Sequence, residues 1–346
     1  MSYSIQKISL EDPGMRARVE QLLHDEGIRL DRHLDYTCGV FDEDYQLIGT
    51  GSCYGNTMRC FAVSAQHQGE GLLNQITQHL MEMQMNRGNF HLFLYTKPNV
   101  ARLMGDLGFY EIARVDGLVF MENRKTGFSG FCKRLASKAR SGNSVAALVM
   151  NANPFTLGHQ YLVEKAAREN DVVHLFVLSE DAGPIPAAVR KMLVVQGIAH
   201  LENVIIHDSG PYLISNATFP SYFLKDEDTV IRTQAQLDIQ VFRGIAQVLG
   251  ITRRYAGEEK SSHVTALYNE VMARMLPEFG IRFLEIPRLE RGRQTISASV
   301  VRQRIHDERT EEIRELVPAS TYDFFVSPAG APVCEAIRQT QDVIHY

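Results

Sequence analysis

The chain has 346 residues, 45% of them hydrophobic and 22% charged, with a formal net charge of −5. That length supports two domains with separate cores. The acidic balance argues against a nucleic-acid coat, and no apolar run approaches a membrane span. The opening MSYSIQKISLEDPG lacks the basic-then-apolar design of a signal peptide, so a cytoplasmic protein is expected, with neither nucleic acid nor membrane among its partners. Cys38, Cys53, Cys60, Cys132 and Cys334 form no C-x-x-C pair. They read as buried or free thiols, and no metal-ligating set is assigned.

In chain order, helical character appears over 15–27. Strand-like segments follow at 35–41 and 45–54, separated by the polar turn Asp42-Glu43-Asp44, which suggests a hairpin. A further strand over 58–63 runs into Ser64-Ala65-Gln66-His67-Gln68-Gly69-Glu70-Gly71. A helix over 72–86 comes next, its Leu72, Leu73, Ile76, Leu80 and Met83 at helical spacing. A strand over 90–96, a helix over 100–107 and a strand over 118–121 complete a first domain, residues 1–121.

This order resembles the GCN5-related N-acetyltransferase (GNAT) fold, an α+β domain. Gln66-x-x-Gly69-x-Gly71 matches that family's Q/R-x-x-G-x-G/A loop, and Asn99-x-x-Arg102 and Leu107-Gly108-Phe109 extend the match. Two glycines ahead of a helix leave backbone N–H groups able to cradle a pyrophosphate. Gln66, Gly69 and Gly71 are therefore candidates for holding coenzyme A or an arm like it. No residue stands out as the general base of an acetyltransferase.

Residues 122–143 carry Arg124, Lys125, Lys133, Arg134, Lys138 and Arg140 against the single acid Glu122. They read as a basic linker helix, either simply solvated or facing a phosphate-bearing arm or an acidic protein.

A second domain, residues 144–346, opens with the apolar strand 145–150 and an Asn- and Pro-rich turn, 151–156. A helix follows from about Gly158. The tetrad Thr156-Leu157-Gly158-His159 stands at its mouth, where unpaired N–H groups and the positive end of the macrodipole favour phosphate. Gly158 is expected to let phosphate approach without a Cβ in the way. Thr156 and His159 add side-chain donors, and Asn153 and Phe155 in the turn are further candidate nucleotide contacts. The continuous apolar run 172–178 suits a parallel strand covered on both faces, giving a βαβ unit. Pro184-Ile185-Pro186 opens a helix bearing Arg190, which either faces phosphates or is a surface arginine. After a short strand at 204–207, Thr218-Phe219-Pro220-Ser221-Tyr222-Phe223-Leu224-Lys225 gathers aromatics and hydroxyls, as a pocket or a buried loop would. A helix over 236–249, a strand over 253–257, a helix over 265–276 and a strand over 282–286 follow. Gly257 and Glu258, at the carboxyl end of a parallel strand, are candidates for adenine or ribose. In Thr295-Ile296-Ser297-Ala298-Ser299-Val300-Val301-Arg302, Ser297 or Ser299 caps a helix that carries Arg302 one turn inside.

The tetrad resembles the H/T-x-G-H signature of the nucleotidyltransferase superfamily, and ISASVVR its I-S-S-T-x-x-R element, with Thr156 in place of a common His and Ala298 in place of a serine. The resemblance implies a Rossmann-like domain with a parallel sheet. It also implies that Thr156 and His159 stabilise an α-phosphate while Ser297, Ser299 and Arg302 hold leaving pyrophosphate. A GNAT-like domain joined to this one, with MNANPFTLGHQYLVEKAA, ATFPSYFLK and ISASVVR, resembles the [citrate (pro-3S)-lyase] ligase family over nearly the whole chain. That resemblance implies an enzyme using ATP, Mg²⁺ and acetate. It would form acetyl-adenylate and acetylate the thiol of the prosthetic group on the citrate lyase acyl-carrier subunit, with the GNAT-like loop gripping that arm. Two alternatives stand beside it: an adenylyltransferase acting on a phosphate monoester such as a pantetheine phosphate or nicotinamide mononucleotide, and an acyl-CoA-sensing binding module.

Overall fold

The computed structural model describes residues 3–181, 183–213, 219, 227–258, 262–291 and 294–340. Two compact units are present: Met1–Ser129 with Phe219–Gln240, and Gly130–Thr218 with Val241–Tyr346. The division is therefore not linear along the chain. Residues 219–240 group with the first unit, and the basic segment is divided between Ser129 and Gly130.

The first unit contains β1 (Ser4–Ile8), α1 (Pro13–Asp25), β2 (Tyr36–Phe41), β3 (Leu47–Tyr54), β4 (Thr57–Val63), α2 (Leu72–Asn86), β5 (Phe93–Thr96), α3 (Pro98–Asp106), β6 (Tyr110–Val115) and β7 (Leu118–Glu122). Its seven-stranded sheet runs β1-β2-β3-β4-β5-β7-β6. Every neighbouring pair is antiparallel except β4 and β5, which pair only at Thr57↔Phe93 and Met58↔Leu94. The Asp42 turn is closed by its own carboxylate, whose Oδ1 accepts from Asp44 N (3.0 Å) and Gln46 N (2.8 Å). Leu72, Ile76 and Leu80 of α2 are buried against the sheet, as their spacing predicts. This is the GNAT-like α+β domain. Two strands escape the sequence reading. β1 buries only Ile8 and so lacks an alternating apolar signal, and β6 is an edge strand with one buried residue, Ala113.

The second unit is built on a five-stranded parallel sheet, in the order β10-β9-β8-β11-β12. Its strands are β8 (Val145–Met150), β9 (Val172–Val177), β10 (Val204–Asp208), β11 (Arg253–Gly257) and β12 (Arg282–Ile286). The helices are α4 (Gly127–Ala136), α5 (Leu157–Glu169), α6 (Ala187–Gly197), α7 (Glu227–Leu249), α8 (His263–Met275), α9 (Ala298–His306), α10 (Ala319–Val326) and α11 (Ala331–Arg338). The first residues of α4 and the first part of α7 belong to the first unit. β9 is buried at all six positions, as a strand covered on both faces should be. α5 and α6 bury Val163, Ala166, Leu193 and Val194 in the same core as α9–α11. The chain leaves β8 toward β9 and β10, then returns to place β11 on the other flank of β8. That reversal is a topological switch point, where the carboxyl ends of the strands leave a crevice. Among the described residues, no helix is long and apolar enough to cross a membrane.

His174 on β9 and His207 on β10 form a buried pair, Nδ1 to Nε2 at 2.9 Å, sharing one proton. His174 Nε2 and His207 Nδ1 have no partner among the described residues. Burial, with Arg140 beside His174, pushes that imidazole down to about 4. Burial also takes His207 to about 4, with His174, Lys138 and Lys191 reinforcing the shift and Asp208 opposing it. Both rings are neutral when folded and charge readily when unfolded. Their contribution to stability is complete above the ordinary histidine pKa of about 6.5 and is lost as pH falls toward 4. The melting temperature is expected to drop between pH 6.5 and 4.5, and a His174→Leu/His207→Leu variant to lose less over that interval. Equal losses in both proteins would remove the pair from the account.

Candidate active site

β8 ends at the switch point and its continuation, 151–156, turns back over the sheet edge through a cis Asn153–Pro154 bond. Thr156 then caps α5 in a reciprocal capping box. Its Oγ1 accepts from His159 N at 3.3 Å, and the Thr156 N–H donates to His159 Nδ1 at 3.1 Å. Thr156 Oγ1 lies 2.9 Å from the same Nδ1. Because Nδ1 accepts the backbone N–H, the ring proton sits on Nε2. Burial, then the charge of Arg288, pushes His159 down to about 4, so at neutral pH it is an uncharged imidazole with a free-standing Nε2–H donor. The ring stacks on Phe155 at 5.8 Å between centroids.

The start of α9 lies against the start of α5. A Cβ built on Gly158 would come within 3.2 Å of the Ile296 carbonyl oxygen. The side of Gly158 expected to face phosphate is thus occupied by the 296 backbone, and the glycine serves close approach of two chain segments. Ser297, not Ser299, is the cap of α9: its Oγ accepts from Val300 N at 3.3 Å and lies 3.0 Å from Ser299 Oγ. Leu157 N donates to Leu316 O at 3.0 Å. The N–H groups of Gly158, Ala298 and Ser299 have no partner among the described residues. Two abutting helix mouths therefore present three open donors at the carboxyl edge of the sheet, an arrangement suited to a polyanion.

Arg302 is 3% exposed and donates through Nη1 to Asn153 O at 2.5 Å, tying α9 to the loop that carries Thr156. Asn153 Oδ1 is buried and has no partner among the described residues. Arg190 is neither a surface residue nor turned outward. Its Nε donates to Ile185 O (3.2 Å), its Nη1 to Asn151 O and Oδ1 (both 2.7 Å), and its Nη2 to Glu180 O. It fastens the loops after β8 and β9 from beneath. Phe155 is fully buried in the core and fills the notch left by Gly197 on α6, where a Cβ would meet its ring at 2.5 Å. Gly197→Ala is expected to destabilise the protein by about 1–3 kcal/mol through overpacking, read as a lowered denaturant midpoint with unchanged slope.

Gly257 and Glu258 lie at the end of β11, but their backbone groups are engaged. Glu258 N donates to Ile286 O (2.7 Å), Asn269 Nδ2 to Gly257 O (3.0 Å) and Arg288 Nε to Glu258 O (2.9 Å). Arg288 is the residue the sequence reading missed. It stands two positions beyond β12, and the rule that singled out the end of β11 applies equally there. Of the segment 218–225 only Phe219 is described, where it packs edge-on to Tyr95 at 5.6 Å in the first unit; the rest lies outside the described residues.

In the first unit Gly69 (φ 89°) and Gly71 (φ 78°) both take left-handed conformations, with open space where a Cβ would stand. Gly71 caps α2 without a side chain. Gln66 is exposed beside them, in a short 3₁₀ turn. Glu70 between the glycines is hydrogen-bonded by the Tyr3 hydroxyl. Among the described residues, no group of three or more His, Cys, Asp or Glu could hold a metal ion.

The second unit is a Rossmann-like α/β domain with a parallel sheet, whose two abutting helix mouths open at its switch point. The family model described as the citrate lyase ligase C-terminal domain matches residues 145–325. A protein named [citrate [pro-3S]-lyase] ligase from Haemophilus influenzae is 35% identical over 326 residues, covering 92% of this chain and 97% of its own. One of the same name from Klebsiella pneumoniae is 36% identical over 326 residues, covering 92% and 95%. The chain belongs to the citrate lyase ligase family. Among solved structures, a putative acyl-CoA N-acyltransferase from Klebsiella pneumoniae is 20% identical, covers 35% of this chain and 95% of that chain, and has a TM-score of 0.30.

Proposed function

We propose that the protein is an AMP-forming acid–thiol ligase that activates citrate lyase by acetylating the thiol of its acyl-carrier subunit. The observation that carries this reading is the meeting of the two helix mouths, one bearing His159 and the other linked through Arg302 to the first loop. Acetate oxygen attacks the α-phosphorus of ATP, forming the mixed anhydride while the bond to the β-phosphate oxygen breaks and pyrophosphate leaves. The neutral His159 donates its Nε2–H to an α-phosphate oxygen. The open N–H groups of Gly158, Ala298 and Ser299 receive the phosphate oxygens, and Ser297 keeps its helix mouth formed. Arg302 holds the loop through Asn153 O and directs its charge at the phosphates. Arg288 is a second cation for the polyphosphate. Asn153 Oδ1 is the acceptor open to an amino or hydroxyl group of the nucleotide, while Arg190 and Phe155 support the loop from below. Magnesium would enter with the triphosphate, neutralising its oxygens; the described residues offer it no cage. In the second step the thiol sulfur attacks the acetyl carbon, AMP leaves, and the thiol proton goes to solvent.

The test is ATP–pyrophosphate exchange with and without acetate. Acetate dependence is the expected result. Exchange that depends on a phosphate monoester would select an adenylyltransferase, a reading to which Arg288 lends a cation near the tetrad. No exchange with either would leave a binding module.

The loop at Gln66, Gly69 and Gly71 takes the pyrophosphate of the carrier's prosthetic arm in this scheme. Gly69→Glu with Gly71→Glu places two carboxylates and two strained residues there. Thiol acetylation is expected to fall at least about tenfold, with acetate-dependent exchange retained within about twofold. Equal loss of both steps would refute the division of labour.

A further inference from the structure

The second unit begins with a cationic row that the chemistry above does not use. Between Asn123 and Asn143 the sequence contains no acid, although the whole chain carries a net charge of −5. α4 buries Phe131, Cys132 and Leu135 and turns its other side to water. Lys133, Arg134, Lys138 and Arg140 are all exposed. The segment is fixed along β10, the edge strand of the parallel sheet. Phe131 packs on Tyr212, with 5.0 Å between ring centroids, and stands 3.1 Å from where a Cβ of Gly210 would be. At the other end Arg140 Nη1 donates to Glu202 O at 3.2 Å. Arg134 covers the Phe131 ring at 5.9 Å. No carboxylate pairs with any of the four among the described residues, whereas neighbouring Lys191 is neutralised by Asp208 at 2.7 Å.

Four unneutralised charges held close together, two in the last turn of α4 and two in the segment that follows it, cost self-repulsion that a merely solvated surface has no reason to retain. Arg134, over the Phe131 ring, stands toward the carboxyl end of β10, and Arg140 toward its amino end. A single phosphate is gripped by donors that converge on it, so a row of this kind fits an extended acidic surface.

We propose that the face formed by Lys133, Arg134, Lys138 and Arg140 is the docking surface for the acyl-carrier subunit, which meets it with an acidic stretch. The inference rests on the ligase reading above and adds to it the place where the protein substrate is captured. Capture by such a row is long-range and salt-sensitive, and it raises the local concentration of the carrier without touching the adenylation chemistry.

The experiment titrates the full-length protein with the carrier subunit bearing its thiol arm, at about 20 mM and about 300 mM NaCl. Lys133→Glu/Arg134→Glu/Lys138→Glu is expected to raise the carrier Kd at least about tenfold at low salt, with the gap closing at high salt. Acetate-dependent exchange in that variant is expected to stay within about twofold of wild type, since the face lies along β10, two strands from β8, the strand that leads into the loop of Thr156 and His159. If exchange is lost as well, Lys133→Gln/Arg134→Gln/Lys138→Gln is titrated in its place and should show a smaller weakening of the same kind. Carrier affinity unchanged by both sets overturns the proposal, as does a short DNA duplex that competes as well as the carrier. If wild type itself lacks acetate-dependent exchange, it is the ligase reading that fails; if exchange and acetylation are intact and only the charge dependence is missing, the docking surface fails alone.

Discussion

Replacing His159 with alanine is expected to slow acetate-dependent ATP–pyrophosphate exchange by about 10²–10³-fold, the usual cost of losing one preorganised donor to a developing phosphate charge. The protein should remain folded, because Thr156 still caps α5 and loses only the returning half of its box. The pH dependence separates this role from that of an acid or base. His159 is held neutral down to about 4 by burial and by Arg288. The wild-type exchange rate should therefore show no step near 6.5 from this residue. Protonation near 4 would also remove the Nδ1 acceptor of the Thr156 N–H, so loss of activity and loosening of the helix start should coincide in acid. A bell centred near neutral pH that disappears in the alanine variant would show a proton-transferring His159 instead.

Arg302→Met is expected to have the other large effect, a fall of about 10³-fold in exchange together with about 1–3 kcal/mol of lost stability. Methionine fills the buried volume but leaves the Asn153 carbonyl without its donor. Arg302→Lys distinguishes support from chemistry. Lysine restores the charge and one hydrogen bond without the planar fork, so stability should recover while exchange stays about 10²-fold down. Recovery of both would reduce Arg302 to a prop for the loop.

The parts of the site that were legible in the sequence are local ones. A strand, a turn with Asn and Pro, and a helix beginning at a threonine are fixed by neighbours along the chain, and the capping of α5 and α9 follows from hydroxyls at the right offsets. What could not be read depends on partners brought from elsewhere. Arg190 looks like any helix arginine until the carbonyls of Asn151, Glu180 and Ile185 surround it. Gly158 looks open to phosphate on its Cβ side until the Ile296 carbonyl stands there, leaving its N–H as the open group. Arg288 has no local signature and acquires meaning only because β12 ends beside β11. In the fold, α10 and α11 lie beyond the last motif and carry no signature of their own, although both bury residues in the main core. The grouping of 219–240 with the first unit likewise leaves no mark in composition.

The contact between Gly158 and the backbone at Ile296 carries a consequence for biosynthesis. A chain emerging from the ribosome can complete all five strands of the second sheet once Ile286 is free, yet α9, the second of the two abutting helix mouths, is still inside the exit tunnel. On the proposed function, affinity for ATP should thus switch on late and abruptly, once α9–α11 have docked and completed the core. A stalled or prematurely terminated product ending near β12 would hold the five strands but lack the core residues of α9–α11, and on the same reading would not retain nucleotide.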